Sequence, residues 1–173
     1  MRDLGSSVWH LSYSWEDFEK IVLALLGSLL AVPGMPAATP DVTAPIHQLI
    51  DGFNVGDTKS AYAAYATGDI TIVDEFAPHR WIGPNAAQDW AADYNKHARA
   101  TGVSDGRVKY GVPTRTEIEG DAAYVIIPTT YLYKERGKPT VEEGQMTFVL
   151  HAEAGGWKIQ SWTWAGVKPH SPK

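Results

Sequence analysis

The chain has 173 residues, a formal net charge of −5 and a hydrophobic share of 44%, which suits one compact core. An acidic balance without any block of Lys or Arg argues against a phosphate-binding surface, so nucleic acid is not expected as a partner. The absence of cysteine excludes disulfides, thiol catalysis and thiolate metal sites.

Residues 1–40 read as a leader. The run IVLALLGSLLAV, residues 21–32, follows Lys20 and precedes the small, proline-rich PGMPAATPDV. It is shorter than the ~20 residues of a membrane span and has the length of a signal-peptide core, with cleavage expected near Ala37 or Ala38. Glu16, Asp17 and Glu19 do not suit a basic n-region, and a true start near residue 20 would remove them. The expectation is export, periplasmic or secreted, if the leader is cleaved, and a cytoplasmic protein otherwise. Residues 41–168 then form the domain and 169–173 a tail.

Thr43 is placed to cap a helix with Pro45 in its first turn, and Ile46, Leu49, Ile50 and Phe53 fall at helical spacing on one face. Gly56 and Asp57 break it, and Thr58 to Tyr65 read as a second short helix with Tyr62 and Tyr65 on a face. A strand over 69–76 follows, built on the β-branched Ile70, Ile72 and Val73. Gly83 and Pro84 open a third helix, about 84–100, with Ala87, Trp90, Ala91, Tyr94 and Ala98 along one stripe and Gly102 at its end.

Beyond Gly102 the period becomes strand-like, over 107–118, 121–135, 140–152 and 157–166. Both faces of the second strand are largely apolar, which suits helices on one side of a sheet and a partner subunit on the other. Tyr131, Tyr133, Gln145 and Thr147 are expected on a common face, either offering hydroxyl and amide groups to a ligand or forming an exposed polar ladder. Trp157 and Ile159 share one face of the last strand, and Trp162 and Trp164 share the other unless a bulge intervenes. Dimer contact is the expected role of these tryptophans.

Asp74 and Glu75, at the end of an apolar strand, are the sharpest chemical candidates. A carboxylate beside an apolar cavity has its pKa raised and can shuttle a proton next to a carbonyl. Strand alternation predicts that only one of the two points inward. Otherwise they form a solvated strand end or pair with Arg80 or Arg115. His79, Arg80 and Trp81 crowd the following connection, where an Arg beside a Trp can hold a carboxylate against a stacked ring, although such a loop more often packs its Trp over the sheet edge. Trp90, Asp93 and Tyr94 lie at helical spacing, as core or as ligand wall. The histidines at 10, 47, 79, 97, 151 and 170 form no H-x-H or H-x-x-x-H pair, there is no G-x-S-x-G elbow, and glycine-rich phosphate loops are lacking. Neither a metal nor a cofactor is expected.

The helix pair, the early strand ending in acidic residues, the G-P helix start and a closing strand introduced by GWKI together resemble the SnoaL-like branch of the nuclear transport factor 2-like superfamily, over residues 43–167. The resemblance implies an α+β fold, a curved antiparallel sheet wrapped around three N-terminal helices. It also implies a conical pocket, and a homodimer formed through the sheet. In similar ketosteroid isomerases the general base lies just after this early strand, which implies Glu75 first and Asp74 second. Those enzymes pair the base with a tyrosine and a second acid. Here the first helix has no tyrosine, and the strand that would carry the second acid offers Gln145 and Thr147. Two functions stay open, since a fold does not fix an activity. One is a binding or accessory domain for a small apolar or aromatic molecule. The other is a cofactor-independent acid–base isomerase, cyclase or dehydratase acting on a carbonyl-bearing, ring-like substrate.

Overall fold

A computed structural model describes residues 41–173; the expected leader lies outside the described residues. Helix α1 (Ala44–Val55) starts at a proline-containing first turn and buries Ile46, Leu49 and Ile50. It ends at Gly56, whose φ of 73° is the left-handed conformation that glycine adopts without a Cβ penalty. Thr43 does not cap it: its hydroxyl and backbone N–H both donate to Asp41 Oδ1, at 2.8 Å. The second helix, α2 (Thr58–Ala63), is capped by Asp57, whose carboxylate accepts the Ser60 N–H. A Cβ on Gly52 would lie 2.9 Å from the Ala61 nitrogen, so glycine is what lets α1 and α2 cross closely. Helix α3 (Ala86–Thr101) buries Ala86 and Ala87 and ends at Gly102.

The sheet comprises β1 (Ile70–Val73), β2 (Arg80–Gly83), β3 (Val103–Tyr110), β4 (Arg115–Glu119), β5 (Ala122–Glu135), β6 (Lys138–Glu153) and β7 (Gly156–Gly166). Its order is β2-β1-β7-β6-β5-β3, with β4 also on β5. Three features depart from the sequence expectation. First, β1 runs parallel to β7, so the curved sheet is mixed and open rather than wholly antiparallel; no hairpin joins these two strands, so nothing local sets their direction. Second, the His79–Trp81 connection holds a strand, β2, paired antiparallel to β1. Third, the single strand expected over 107–118 is divided into β3 and β4, both on β5. The break lies beside Pro128, which has no N–H for the ladder; its carbonyl still accepts the Gly111 N–H at 2.9 Å.

Alternation along the long strands turns Val125 and Ile127 of β5, Phe148 and Leu150 of β6, and Ile159 of β7 toward the helices, all with 0% exposure. A register shift carries β7 from Ile159 to Ser161 between consecutive partners on β6, leaving Gln160 as the extra residue. The bulge therefore returns Trp162 and Trp164 to the face of Trp157 and Ile159. Trp157 and Trp162 are 8% and 4% exposed, within the core, and Trp164 lines a cavity. The expected dimer-contact role for these tryptophans is thus corrected to an interior one.

Candidate active site

A cavity of about 500 Å³ opens between α1, α3 and the concave face of the sheet. The carboxyls of Asp74 and Glu75 both line it, against the expectation from alternation. The reason is local: β1 ends at Val73, so the two residues lie in the bend beyond the strand, where side chains no longer alternate. That bend is closed by Asp74 N–H donating to the His79 carbonyl at 3.1 Å.

Asp74 is held from two sides. Its Oδ2 accepts the indole N–H of Trp90 at 2.8 Å, and its Oδ1 accepts the backbone N–H of Glu75 at 2.7 Å. Burial pushes its carboxyl up to about 6; the Trp90 donor and the Glu75 N–H oppose the rise, Glu75 adds to it, and His97 works against it. Nearby, the hydroxyls of Tyr94 on α3 and Tyr131 on β5 form a hydrogen bond. Burial and the Asp74 charge both push these phenols up, so they are neutral donors at ordinary pH. Two hydroxyls joined by one hydrogen bond keep one O–H free for a ligand oxygen. Space for the pair comes from Gly106, where a Cβ would lie 2.5 Å from the Tyr131 hydroxyl oxygen and 3.0 Å from that of Tyr94.

Glu75 meets a residue that sequence reasoning missed. Glu142 on β6 is 1% exposed, lines the same cavity, and accepts the Trp164 indole N–H through Oε1 at 3.0 Å. Partial burial and then the facing Glu142 carboxyl raise Glu75 to about 7, with the Trp164 donor and His97 lowering it. Tyr133, pushed up by burial and by the charge of Glu142, borders the pair. His97 on α3 completes the rim, its ring stacked on Phe76 at 5.1 Å. Among the described residues, no three His, Cys, Asp or Glu side chains gather as metal ligands.

The other sequence candidates divide. Trp90, Tyr94 and Tyr131 line the cavity. Trp81 is buried at 5% exposure, and its indole N–H donates to Asp93 at 3.0 Å; neither is among the lining residues, so this pair ties β2 to α3. His79 and Arg80 are exposed outside the cavity, and neither carboxyl of the bend pairs with Arg80 or Arg115. Gln145 does not share the face of Tyr131 and Tyr133. In the β5–β6 register Tyr131 lies opposite Glu142 and Gln145 opposite Pro128, which sends Gln145, and Thr147 two residues on, to the outer face. A usable signal was in the sequence: Glu142 has the parity of Met146, Phe148 and Leu150, the apolar side of β6.

This open mixed sheet curled around three helices, with a cavity at its concave face, is similar in fold to solved structures that include a member of the nuclear transport factor 2-like superfamily. A superfamily member from Salmonella enterica serovar Typhimurium matches with a TM-score of 0.60 at 14% identity, covering 73% of this chain and 89% of that one. A hexachlorocyclohexane dehydrochlorinase of type 2 matches with a TM-score of 0.62 at 15% identity, over 75% and 88%. A ketosteroid isomerase-like protein from Erwinia carotovora atroseptica matches with a TM-score of 0.56 at 19% identity, over 73% and 94%. These are likenesses of fold. No family model matches the sequence, and no curated protein matches it.

Proposed function

We propose that this cone is a cofactor-independent acid–base enzyme acting on a carbonyl-bearing, ring-like compound. The observation that carries the reading is Asp74, raised to about 6 yet fixed by Trp90 at 2.8 Å, beside the Tyr94–Tyr131 hydroxyl pair. A carboxylate of that pKa is largely ionised at neutral pH and is a stronger base than an ordinary one. In the proposed step, Asp74 removes a proton from the carbon next to the carbonyl. The C–H electron pair moves into an enolate, and the free O–H of the tyrosine pair donates to its oxygen. Asp74 then returns the proton to another carbon of the conjugated system, or the enolate expels a β-leaving group. The isomerase-like and dehydrochlorinase fold neighbours are compatible with either ending.

The test uses 2-tetralone in deuterated water, with proton NMR following the loss of its α-proton signals. The wild-type chain is expected to accelerate exchange over buffer, and Asp74→Asn to slow it ~10²-fold or more. If a folded protein gives no acceleration with this or other bicyclic ketones, the enzyme reading fails and the cavity is one that only binds.

The homodimer belongs to the same proposal. Thr71, Val73, Thr147, Val149, Ser161 and Thr163 lie on paired strands at matching register, forming an outward patch of short, uncharged side chains suited to a second copy of the sheet. Export, from the leader's length and composition, also remains part of this reading.

A further inference from the structure

The mechanism above leaves Glu142 without a task. We infer that the Glu75–Glu142 end of the cavity is a seat for an organic cation, and that the substrate carries a protonated amine on its ring system. The inference rests on this cavity being the substrate site.

Charge is the first ground. Four acidic residues line the cavity, Asp74, Glu75, Asp105 and Glu142, and neither Lys nor Arg is among the lining residues. Asp105 is neutralised by Lys134 at 2.8 Å. The remaining ion pairs among the described residues, Arg115–Glu117, His151–Asp121 and His170–Glu143, leave the other three untouched. His97 acts on Asp74 and Glu75 from α3. One of the Glu142 oxygens takes the Trp164 indole N–H, and no Lys, Arg or His among the described residues forms an ion pair with it. A carboxylate with 1% exposure facing a second carboxyl requires either a shared proton or a cation.

The wall is the second ground. Tyr131 sits opposite Glu142 in the ladder and stacks on Tyr133, ring centroids 4.6 Å apart; Trp164 approaches from β7. Trp164 turns its N–H edge to the carboxylate, while the stacked tyrosines beside it offer π-systems that attract an ammonium group alongside ion pairing. Metal ions are poorly served, since no set of three ligating side chains forms among the described residues. Anionic substrates find no lining Lys or Arg. A cavity of about 500 Å³ admits a bicyclic amine.

The experiment is isothermal titration of the full chain at pH 7.5 with three probes of equal ring size: 2-aminoindane, 2-indanol and indane-2-carboxylate. The amine is expected to bind roughly tenfold or more tightly than the alcohol, and the carboxylate most weakly. Glu142→Gln should bring the amine down to the alcohol's affinity, and Glu75→Gln should do so from the rim, where a change is less hazardous to folding. Equal affinities for amine and alcohol, tightest binding of the carboxylate, or no binding of any probe by folded protein overturns the inference. The wild-type chain, assayed both ways, separates the two readings. If ketone exchange is absent while the amine preference stands, only the enzyme reading has failed; if exchange is present while the preference is absent, only the cation seat has.

Discussion

Adjacent in sequence, Asp74 and Glu75 inherit different chemistry from what surrounds them. Asp74 is raised to about 6 chiefly by burial, against the pull of the Trp90 N–H; Glu75 is raised to about 7 by burial and by Glu142. Both shifts carry the same sign for stability. A carboxyl whose folded pKa lies above its unfolded value is protonated more readily in the folded state, so its stabilising effect is complete below the unfolded pKa and is lost as pH rises through the folded one. For Asp74 that window runs from the ordinary aspartate value of 3.8 to about 6. Asp74→Asn, which cannot ionise, should therefore gain stability relative to wild type as pH rises through this range, measured as the difference in melting temperature. A constant difference would place Asp74 in water. Exchange activity should rise as pH increases through about 6, since the base must be ionised. Glu75→Gln should act differently: with an amino-ketone substrate it raises KM while kcat falls less than tenfold, because binding and not proton transfer is removed. A loss of kcat of ~10² with KM unchanged would instead make Glu75 the base.

Placement of these groups depends on irregularities in the elements that carry them. Strand β3 shifts register between Ser104 and Arg107, with Asp105 at a φ of 56°, and this distortion brings Gly106 against the two phenols. Gly106→Ala should split the Tyr94–Tyr131 hydrogen bond. The expected cost is about 1–3 kcal/mol in denaturant unfolding, as for overpacking, with exchange activity reduced at least roughly tenfold through loss of an oxyanion donor. Wild-type activity in the variant would remove the phenol pair from the mechanism. The same strand is fastened to α1 by Asn54, whose side-chain amide donates to the Val108 carbonyl at 2.8 Å and accepts its N–H at 2.7 Å. Elements with a strong period were readable in advance: α1 from Ile46, Leu49 and Ile50, α3 from its Trp90–Tyr94 stripe, and β5 to β7 from alternation. What escaped was non-local. The parallel pairing of β1 with β7 joins residues some ninety positions apart, and β2 is short enough that RWIG reads as a loop. Glu142 beside Glu143 looks like a solvated charge pair until the register of β6 is known. Only Glu143 fits that description, paired outside with His170 at 2.8 Å.

At the scale of the whole molecule, residues 41–173 enclose one hydrophobic core that runs from Val42 to Trp162, so a chain beginning at Asp41 should fold alone and unfold in one cooperative transition. An insoluble or molten product would assign the leader a structural part. N-terminal sequencing of native protein should start near Ala38 or Thr39 if export is correct, and sedimentation should give twice the chain mass if the outer sheet face pairs. The shortened chain has a further property, because Trp9 and Trp15 go with the leader and five tryptophans remain. Four of their indole N–H groups donate to separate acceptors: Trp81 to Asp93, Trp90 to Asp74, Trp162 to the Tyr65 hydroxyl and Trp164 to Glu142. Asp74 thus has its own reporter, Trp90, and the Glu75–Glu142 pair shares another, Trp164. In a nitrogen-15 spectrum of the indoles, the Trp90 resonance should move with a midpoint near 6 and the Trp164 resonance with the Glu75 titration near 7, while that of Trp162 stays still as a reference. An amine seated beside Glu142 would then shift the Trp164 signal first, and the protein would announce which end of its cavity is filled without any label being added to the ligand.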